Sequence, residues 1–291
     1  MEKVYIYALA ANLVFAIGVQ FFTHYARRIS SVWVNCFKAA VASVLFLATV
    51  LAQGGFHQID PLFAGLFFLS GMVGLGIADL CLIKAFSLMG PGRTMLIFGF
   101  QPLIIGLLSY FAFGQAVNTR QLAAVFFFIA CLFIFSLESF KKHGHWNTRA
   151  SLFALAGVVM DGIGVIITRF AFNANTGIGT TEGNFYRAVG ALLLFGVMSK
   201  VRPFQFFEKL RALSRRSLLW LTVGSFAGTY LSLMFYLTAV RYAGALAAVA
   251  GIGITGTLFS SAFECAYERK LPSAYLLAAF VFFFAGMAFL F

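Results

Sequence analysis

Apolar residues run along this chain in ten long blocks, roughly 3–23, 32–53, 62–83, 92–113, 119–138, 150–171, 182–200, 217–239, 243–266 and 272–291, with short polar or glycine- and proline-bearing segments between them. A block of about 20 such residues, at ~1.5 Å per residue, reaches across a hydrocarbon layer about 30 Å thick. Each block is expected to be helical, because lipid leaves the edge of an open sheet without hydrogen-bond partners. Together the blocks take about 200 of the 291 residues, which leaves little chain for a soluble domain. The first block is longer than the apolar core of a removable signal, and no small-residue cleavage site follows it, so it is expected to stay on the chain.

The blocks repeat. YALAANLVFAIGV at 7–19 matches FALAGVVMDGIGV at 153–165 at an offset of 146, and NCFKA at 35–39 matches NFYRA at 184–188. Further along, AFSLMG at 85–90 matches AVRYAG at 239–244, and LAAVFFF at 122–128 matches LAAFVFF at 277–283. The chain therefore divides into two five-helix halves, 1–140 and 148–291, joined by a polar linker at 141–147. An odd number of spans per half makes the second half enter the membrane from the opposite side. The predicted fold is an all-α integral membrane protein of ten transmembrane helices, arranged as two inverted five-helix repeats. In such an arrangement a substrate site lies near the midplane between the repeats.

Composition agrees with lipid as the solvent: 62% of residues are hydrophobic, 38 are phenylalanine, only 10% are charged, and the mean hydropathy is +0.93. The basic residues sort by side. Lys3, Arg120, Arg169 and Arg241 fall on the side of the termini, whereas fifteen, among them Arg27, Arg28, Lys141, Arg202, Arg211 and Arg216, fall on the other. By the positive-inside rule both termini lie outside the cytoplasm and the 201–216 loop lies within it. This bias accounts for most of the +12 net charge without a nucleic-acid partner. In the same loop, Phe206, Phe207, Leu210 and Leu213 recur at helical spacing and predict a helix lying in the membrane interface. Trp33, Trp146 and Trp220 sit near block boundaries, the usual place of interfacial tryptophan. Cys36, Cys81, Cys131 and Cys265 are not closely paired and read as packing residues.

In the stretches AFSLMGPGRTMLIFGFQPLIIGLLSYFAFGQAVNTRQL and AVRYAGALAAVAGIGITGTLFSSAFECAYERKLPSAYLL, the chain resembles EamA-type members of the drug/metabolite transporter superfamily. Ala85 and Pro102 in the first half and Ala239 and Glu268 in the second fit the family's pattern, whereas Gln115 stands where its first-half glutamate is expected and Thr255-Gly256 replace its second-half proline. The resemblance extends over essentially the whole chain. It implies a small-metabolite transporter, often an exporter of amino acids or related compounds.

Two charges lie inside blocks. Lys38 is about seven residues into the second block and Arg187 about six into the seventh, which enters from the other side. Each lies about 9 Å below its own surface, so the two approach the midplane from opposite directions. Asn35 shares a helix face with Lys38, and Asn184 with Arg187. One reading has each half offering an amide and a cation to a shared cavity; the other has both cations snorkelling to headgroups. Gln101 before Pro102, and Tyr236 beyond Thr229 and Ser232 on one face, are further candidates for contact with a polar substrate. Asp79 and Asp161 are the intramembrane carboxylates, suited either to proton coupling or to ion pairing with Arg187 or Lys38. Ala243, Ala247, Gly251 and Thr255 form a small-residue stripe for helix contact.

These features predict a secondary transporter of a small polar metabolite, an amino acid or other anion-bearing compound. The predicted route is export by alternating access, from a bacterial cytoplasmic (inner) membrane. A flippase for a lipid-linked phosphate satisfies the same cation logic, and a non-transporting assembly protein is the third class. No enzyme is expected: His24, His57, His143 and His145 lie in loops or at span ends, and neither HExxH nor a catalytic carboxylate pair occurs. No metal and no cofactor is expected. The expected partners are the substrate and membrane lipid, and the sequence does not choose between monomer and homodimer.

Overall fold

A computed structural model describes residues 2–115, 119–143, 147–253, 255–256, 258–259, 262–263, 271 and 273–290. Cys265, Glu264, Glu268, His145 and Trp146 lie outside these residues, as do the side chains of Glu138 and Cys131. The helices are α1 (Glu2–Arg28), α2 (Ser31–Ala52), α3 (Pro61–Met89), α4 (Pro91–Phe98), α5 (Gln101–Phe113) and α6 (Thr119–His143). After the linker come α7 (Thr148–Ala174), α8 (Thr180–Val201), α9 (Phe206–Ala212), α10 (Arg215–Tyr242), α11 (Leu246–Ile252) and α12 (Ala274–Leu290). Among the described residues there is no strand.

Local chemistry starts several of these helices. Ser30, Asp60, Asn147 and Ser214 each accept a backbone N–H of the first turn, of Trp33, Leu62, Ala150 and Ser217 respectively. These side chains satisfy donors that the helix itself leaves free. Among the described residues five helices are long and apolar enough to cross a membrane: Lys3–Arg28, Ser31–Ala52, Pro61–Met89, Thr148–Ala174 and Arg215–Tyr242. Helix α8, at 22 residues, carries Glu182, Arg187 and Lys200 along its length. The expected single helix over 92–113 is instead two, α4 and α5, parted at Gly99 and Phe100. Pro102 sits in the first turn of α5, where its missing N–H costs no hydrogen bond. Helix α11 likewise stops at Gly253, inside GIGITG.

Helices pack as α1 with α10, α3 with α7, α2 with α8, α5 with α11 and α6 with α12. Glycine makes the closest crossings possible. A Cβ on Gly18 would stand 2.3 Å from Gly228 Cα, and one on Gly164 would stand 2.9 Å from Gly74 Cα. Gly18 and Gly164 are the positions that the 146-residue offset equates. Where α3 meets α8, a Cβ on Gly71 would fall 1.9 Å from the Arg187 carbonyl oxygen, and one on Gly190 would fall 2.2 Å from that of Phe68. Gly190→Ala must push two backbones apart and is expected to cost about 1–3 kcal/mol or more. Gly196→Ala, with no described atom within 4 Å, is expected to leave the melting temperature of the solubilised protein unchanged. Equal melting of the two variants would refute the crossing.

Two stretches depart from α-geometry: Gly71–Ala78 within α3 and Phe226–Leu231 within α10 are π-helical. Such wide turns redirect backbone carbonyls and side chains, and they recur at functional sites.

The expected interfacial helix exists as α9, but it faces protein with more of itself than expected. Phe206 and Leu210, followed by Leu213 just beyond the helix, pack against the cluster containing Phe22, Trp33 and Phe86, and Phe207 stays 71% exposed. Trp33 correspondingly is no interfacial residue. It is fully buried, its indole N–H donating to the Phe206 carbonyl at 3.0 Å. Trp220 is 44% exposed and stacks on Phe21.

Candidate functional site

The two buried cations stand on neighbouring helices, Lys38 on α2 and Arg187 on α8, and neither extends to a surface. Lys38 is 3% exposed and forms an ion pair with Asp79, which follows the π-helical turn of α3. Its ammonium also lies 5.4 Å from the centroid of the Phe22 ring. Arg187 is 1% exposed, and its Nε donates to Ser70 Oγ at 2.9 Å. Ser70 is itself hydrogen-bonded to Thr168, whose hydroxyl donates to the Gly164 carbonyl. Nη2 of Arg187 lies close against Gly74, 3.3 Å from the place a Cβ would take. Snorkelling to headgroups is therefore not what these side chains do: acceptors on α3 lie nearer than either membrane surface.

The asparagines behave differently from an amide-plus-cation site. Asn35 Nδ2 donates to the carbonyls of Leu75 and Gly76, 3.0 Å each, within the π-helical turn. Asn184 Nδ2 donates to the Leu233 carbonyl at 3.0 Å, just past the corresponding turn of α10. Both amide donors are thus spent on backbone in or just beside a π-helical turn, and among the described residues the buried Oδ1 atoms of Asn35 and Asn184 have no donor.

Asp161 on α7 accepts a hydrogen bond from the Gln101 amide and lies within electrostatic reach of Asp79, Arg187 and Lys38. Among the described residues no cationic nitrogen stands within 4.0 Å of it. Lys38, Arg187, Asp79 and Asp161 thus gather two positive and two negative formal charges in one interior region, contributed by α2, α8, α3 and α7. Tyr236 from α10 joins them, in electrostatic reach of both Asp161 and Arg187. Asp79, Asp161 and Tyr236 keep some accessible surface, whereas Lys38, Gln101 and Arg187 are buried.

Two donors in this cluster have no acceptor. Arg187 Nη1 and the Tyr236 hydroxyl are both buried without a hydrogen-bond partner among the described residues. A buried guanidinium N–H that meets no acceptor costs about 1–3 kcal/mol or more. Fixed donors of this kind, beside balanced charge, are suited to receiving the carboxylate or phosphate oxygen of a guest. Thr229 Oγ1, in the π-helical turn of α10, is also buried and has no hydrogen-bond partner among the described residues. Ser232 is buried on the same helix. The small-residue stripe makes helix contact: a Cβ on Gly106 would sit 3.5 Å from that of Ala247. Cys36 and Cys81 are free thiols. Among the described residues no group of three or more metal-ligating side chains occurs.

Several contacts have no forerunner in the sequence reading. Ser70 and Thr168, which position Arg187, carry no motif of their own. Arg169 and Arg241 count there only as charges on the side of the termini, but Arg169 donates to the carbonyls of Val240, Arg241 and Ala243, and Arg241 to those of Thr176 and Ile178. Both arginines tie the end of α10 to the segment around α7's end, where unsatisfied helix carbonyls attract cations. Their position one turn from helix ends was the available signal. Glu182 and His57 also meet, across the two halves.

Comparison with known proteins bears on this fold and cluster. Residues 2–137 match the family model described as EamA-like transporter family. No curated protein matches the sequence. A crystal structure that is 15% identical superposes with a TM-score of 0.70, over 96% of this chain and 96% of its own, a likeness of fold alone. The helices, the apolar spans and the family match support a multi-pass integral membrane protein. Over residues 2–137, just under half of its length, the chain is similar to the EamA-like transporter family.

Proposed function

We propose that the protein is a secondary transporter that exports a small polar metabolite bearing a carboxylate or similar anionic group, by alternating access across a bacterial inner membrane. The single observation that carries this reading is the pair of unpaired buried donors, Arg187 Nη1 and Tyr236 OH, beside a charge-balanced cluster built from both halves. Lys38 is already engaged with Asp79, so the anion is received by Arg187 and Tyr236 rather than by two cations. Asp161, held among the described residues by the Gln101 amide, is the group suited to exchange a proton or to meet a positive part of the substrate.

We read the chain as ten spans in two inverted halves, and the pairing of its helices supports that arrangement. The partnership of α1 with α10 answers that of α7 with α3, while α2 with α8 and α6 with α12 each pair equivalents. The π-helical turns in α3 and α10 and the breaks at Gly99 and Gly253 also correspond between halves. Broken helices and irregular backbone beside a central site are what such transporters use to expose polar groups within the membrane.

One observation favours a second reading. An apolar groove of about 490 Å³ between α2 and α10, lined by Val41, Val44, Leu45, Val223 and Phe226, has the character of an acyl-chain path, and so of a lipid-linked phosphate. Metabolite profiling of medium and membranes, from cells with and without the protein, separates the two. Export predicts a small anionic or zwitterionic solute enriched in the medium of producing cells. A lipid intermediate redistributed between leaflets, with the medium unchanged, would replace export by flipping.

A further inference from the structure

The spacing of 149 residues that relates Asn35 to Asn184 and Lys38 to Arg187 also relates Trp33 to Glu182 and His57 to Phe206. These four residues touch in matching pairs. In one, the Trp33 indole donates to the Phe206 carbonyl at 3.0 Å, and the two rings stack with centroids 5.3 Å apart. In the other, the His57 backbone N–H donates to Glu182 Oε1 at 3.2 Å, and its Nδ1 lies 3.0 Å from Oε2. Each pair joins the loop segment after the second helix of one half to the first turn of the charged helix of the other. Each also lies five residues, or about 7.5 Å, above the buried cation of that helix.

Neighbouring aromatic residues complete both covers. Phe37 stacks on Trp33 beneath Phe206, and Phe56 packs on Phe185 and Tyr186, while the Tyr186 hydroxyl donates to Glu182. Both segments also carry hinges. Gly54 and Gly55 precede His57 with φ of 108° and 96°, conformations that favour glycine and that no packed neighbour imposes, since no described atom lies within 4 Å of a Cβ added there. Gln205, directly before Phe206, is the non-glycine residue with positive φ, 54°, among those described. A residue held in this region is strained, and release of the cover relieves it.

We infer that these two contacts are the gates of the transport path, which rests on the alternating-access reading above. The His57–Glu182 contact closes the side of the termini, and the Trp33–Phe206 contact closes the opposite side. Both are formed here, so the conformation is closed at both ends. Opening one side breaks one contact and leaves its counterpart made, which is how the repeated pair prevents a continuous leak. The chemistry differs between ends. His57 has a side chain 63% exposed over a Glu182 that is 3% exposed, a cover that lifts without unfolding, whereas the Trp33 side is an aromatic stack.

The test uses the full chain with Cys36, Cys81, Cys131 and Cys265 replaced by serine and a single reporter, Tyr236→Cys, in the central cluster. Its modification by a membrane-impermeant thiol reagent is timed from each face of the membrane. His57→Ala is expected to raise the rate from the side of the termini roughly fivefold, the effect of one lost hydrogen-bonded contact, with the opposite face unchanged. Trp33→Phe, which keeps the stack and loses the N–H donor, is expected to do the reverse. Should either variant alter both faces alike, or neither face, the gate assignment is overturned. Solute flux by the unmodified protein is measured separately: its absence would remove the transport reading, while the gates stand or fall on labelling.

Discussion

Arg187→Lys is expected to cut transport about 10- to 150-fold, although the charge is kept, because a charge-assisted hydrogen bond to the guest is worth ~1.5–3 kcal/mol. The reason lies in shape. The guanidinium fork here spends Nε on Ser70, lays Nη2 against Gly74 and leaves Nη1 unpaired. An ammonium on a flexible stem has no fixed second donor, so it satisfies Ser70 or the guest but does not hold both in one geometry. Stability should fall by no more than about 1.5–3 kcal/mol, the worth of the charge-assisted Ser70 bond. Flux in proteoliposomes and thermal unfolding in detergent, measured on one preparation, give both numbers. A Lys variant that transports as fast as the parent would make Arg187 a structural tie between α8 and α3. Tyr236→Phe removes the other free donor and tests the same pocket without touching a charge.

Lys38 carries the second prediction, and it concerns folding. Lys38→Met leaves Asp79, whose side chain is 15% exposed, without its cation, and an uncompensated interior charge costs about 3–5 kcal/mol. The single variant is therefore expected to unfold far below the parent. The double variant Lys38→Met/Asp79→Leu removes both charges and fills similar volume, and replacing a buried pair by apolar residues is often neutral or stabilising. It should recover most of the lost stability. A double variant no more stable than the single would mean that Lys38 and Asp79 act through other partners. Transport by the double variant then says whether the pair also serves the substrate.

Much of the helical architecture is legible from periodicity and composition, because lipid permits few alternatives: nearly every described helix lies within a predicted apolar block, and 206–212 is helical as its spacing indicates. The break before Pro102 is not stated by the block pattern, which runs unbroken over 92–113, although the proline fits the first turn of α5 that the break creates. What the blocks do not contain is side-chain direction. Asn35 and Lys38 share a face, as helical spacing requires, yet one turns its amide to a widened turn of α3 and the other pairs with Asp79. Nothing in NCFKAAVA states that α3 is π-helical opposite it. Only the cluster of Gly71, Gly74 and Gly76 hints at a departure. Trp33 was misread because tryptophan at a span boundary usually meets headgroups; here α9 folds over it and takes the indole N–H. Glu182 carries no motif of its own in the sequence. Its meaning appears only when the repeat is carried one turn further, where it is the counterpart of Trp33.

The question that decides most is whether Arg187 and Tyr236 receive a solute. A defined mixture of labelled amino acids and small organic acids, offered to proteoliposomes containing only this protein, answers it by mass spectrometry of the vesicle lumen. Selective accumulation of one anion-bearing class by the parent, reduced at least about tenfold by Arg187→Lys, is the predicted result. Uptake equal in parent, variant and protein-free vesicles would contradict a central anion-receiving site.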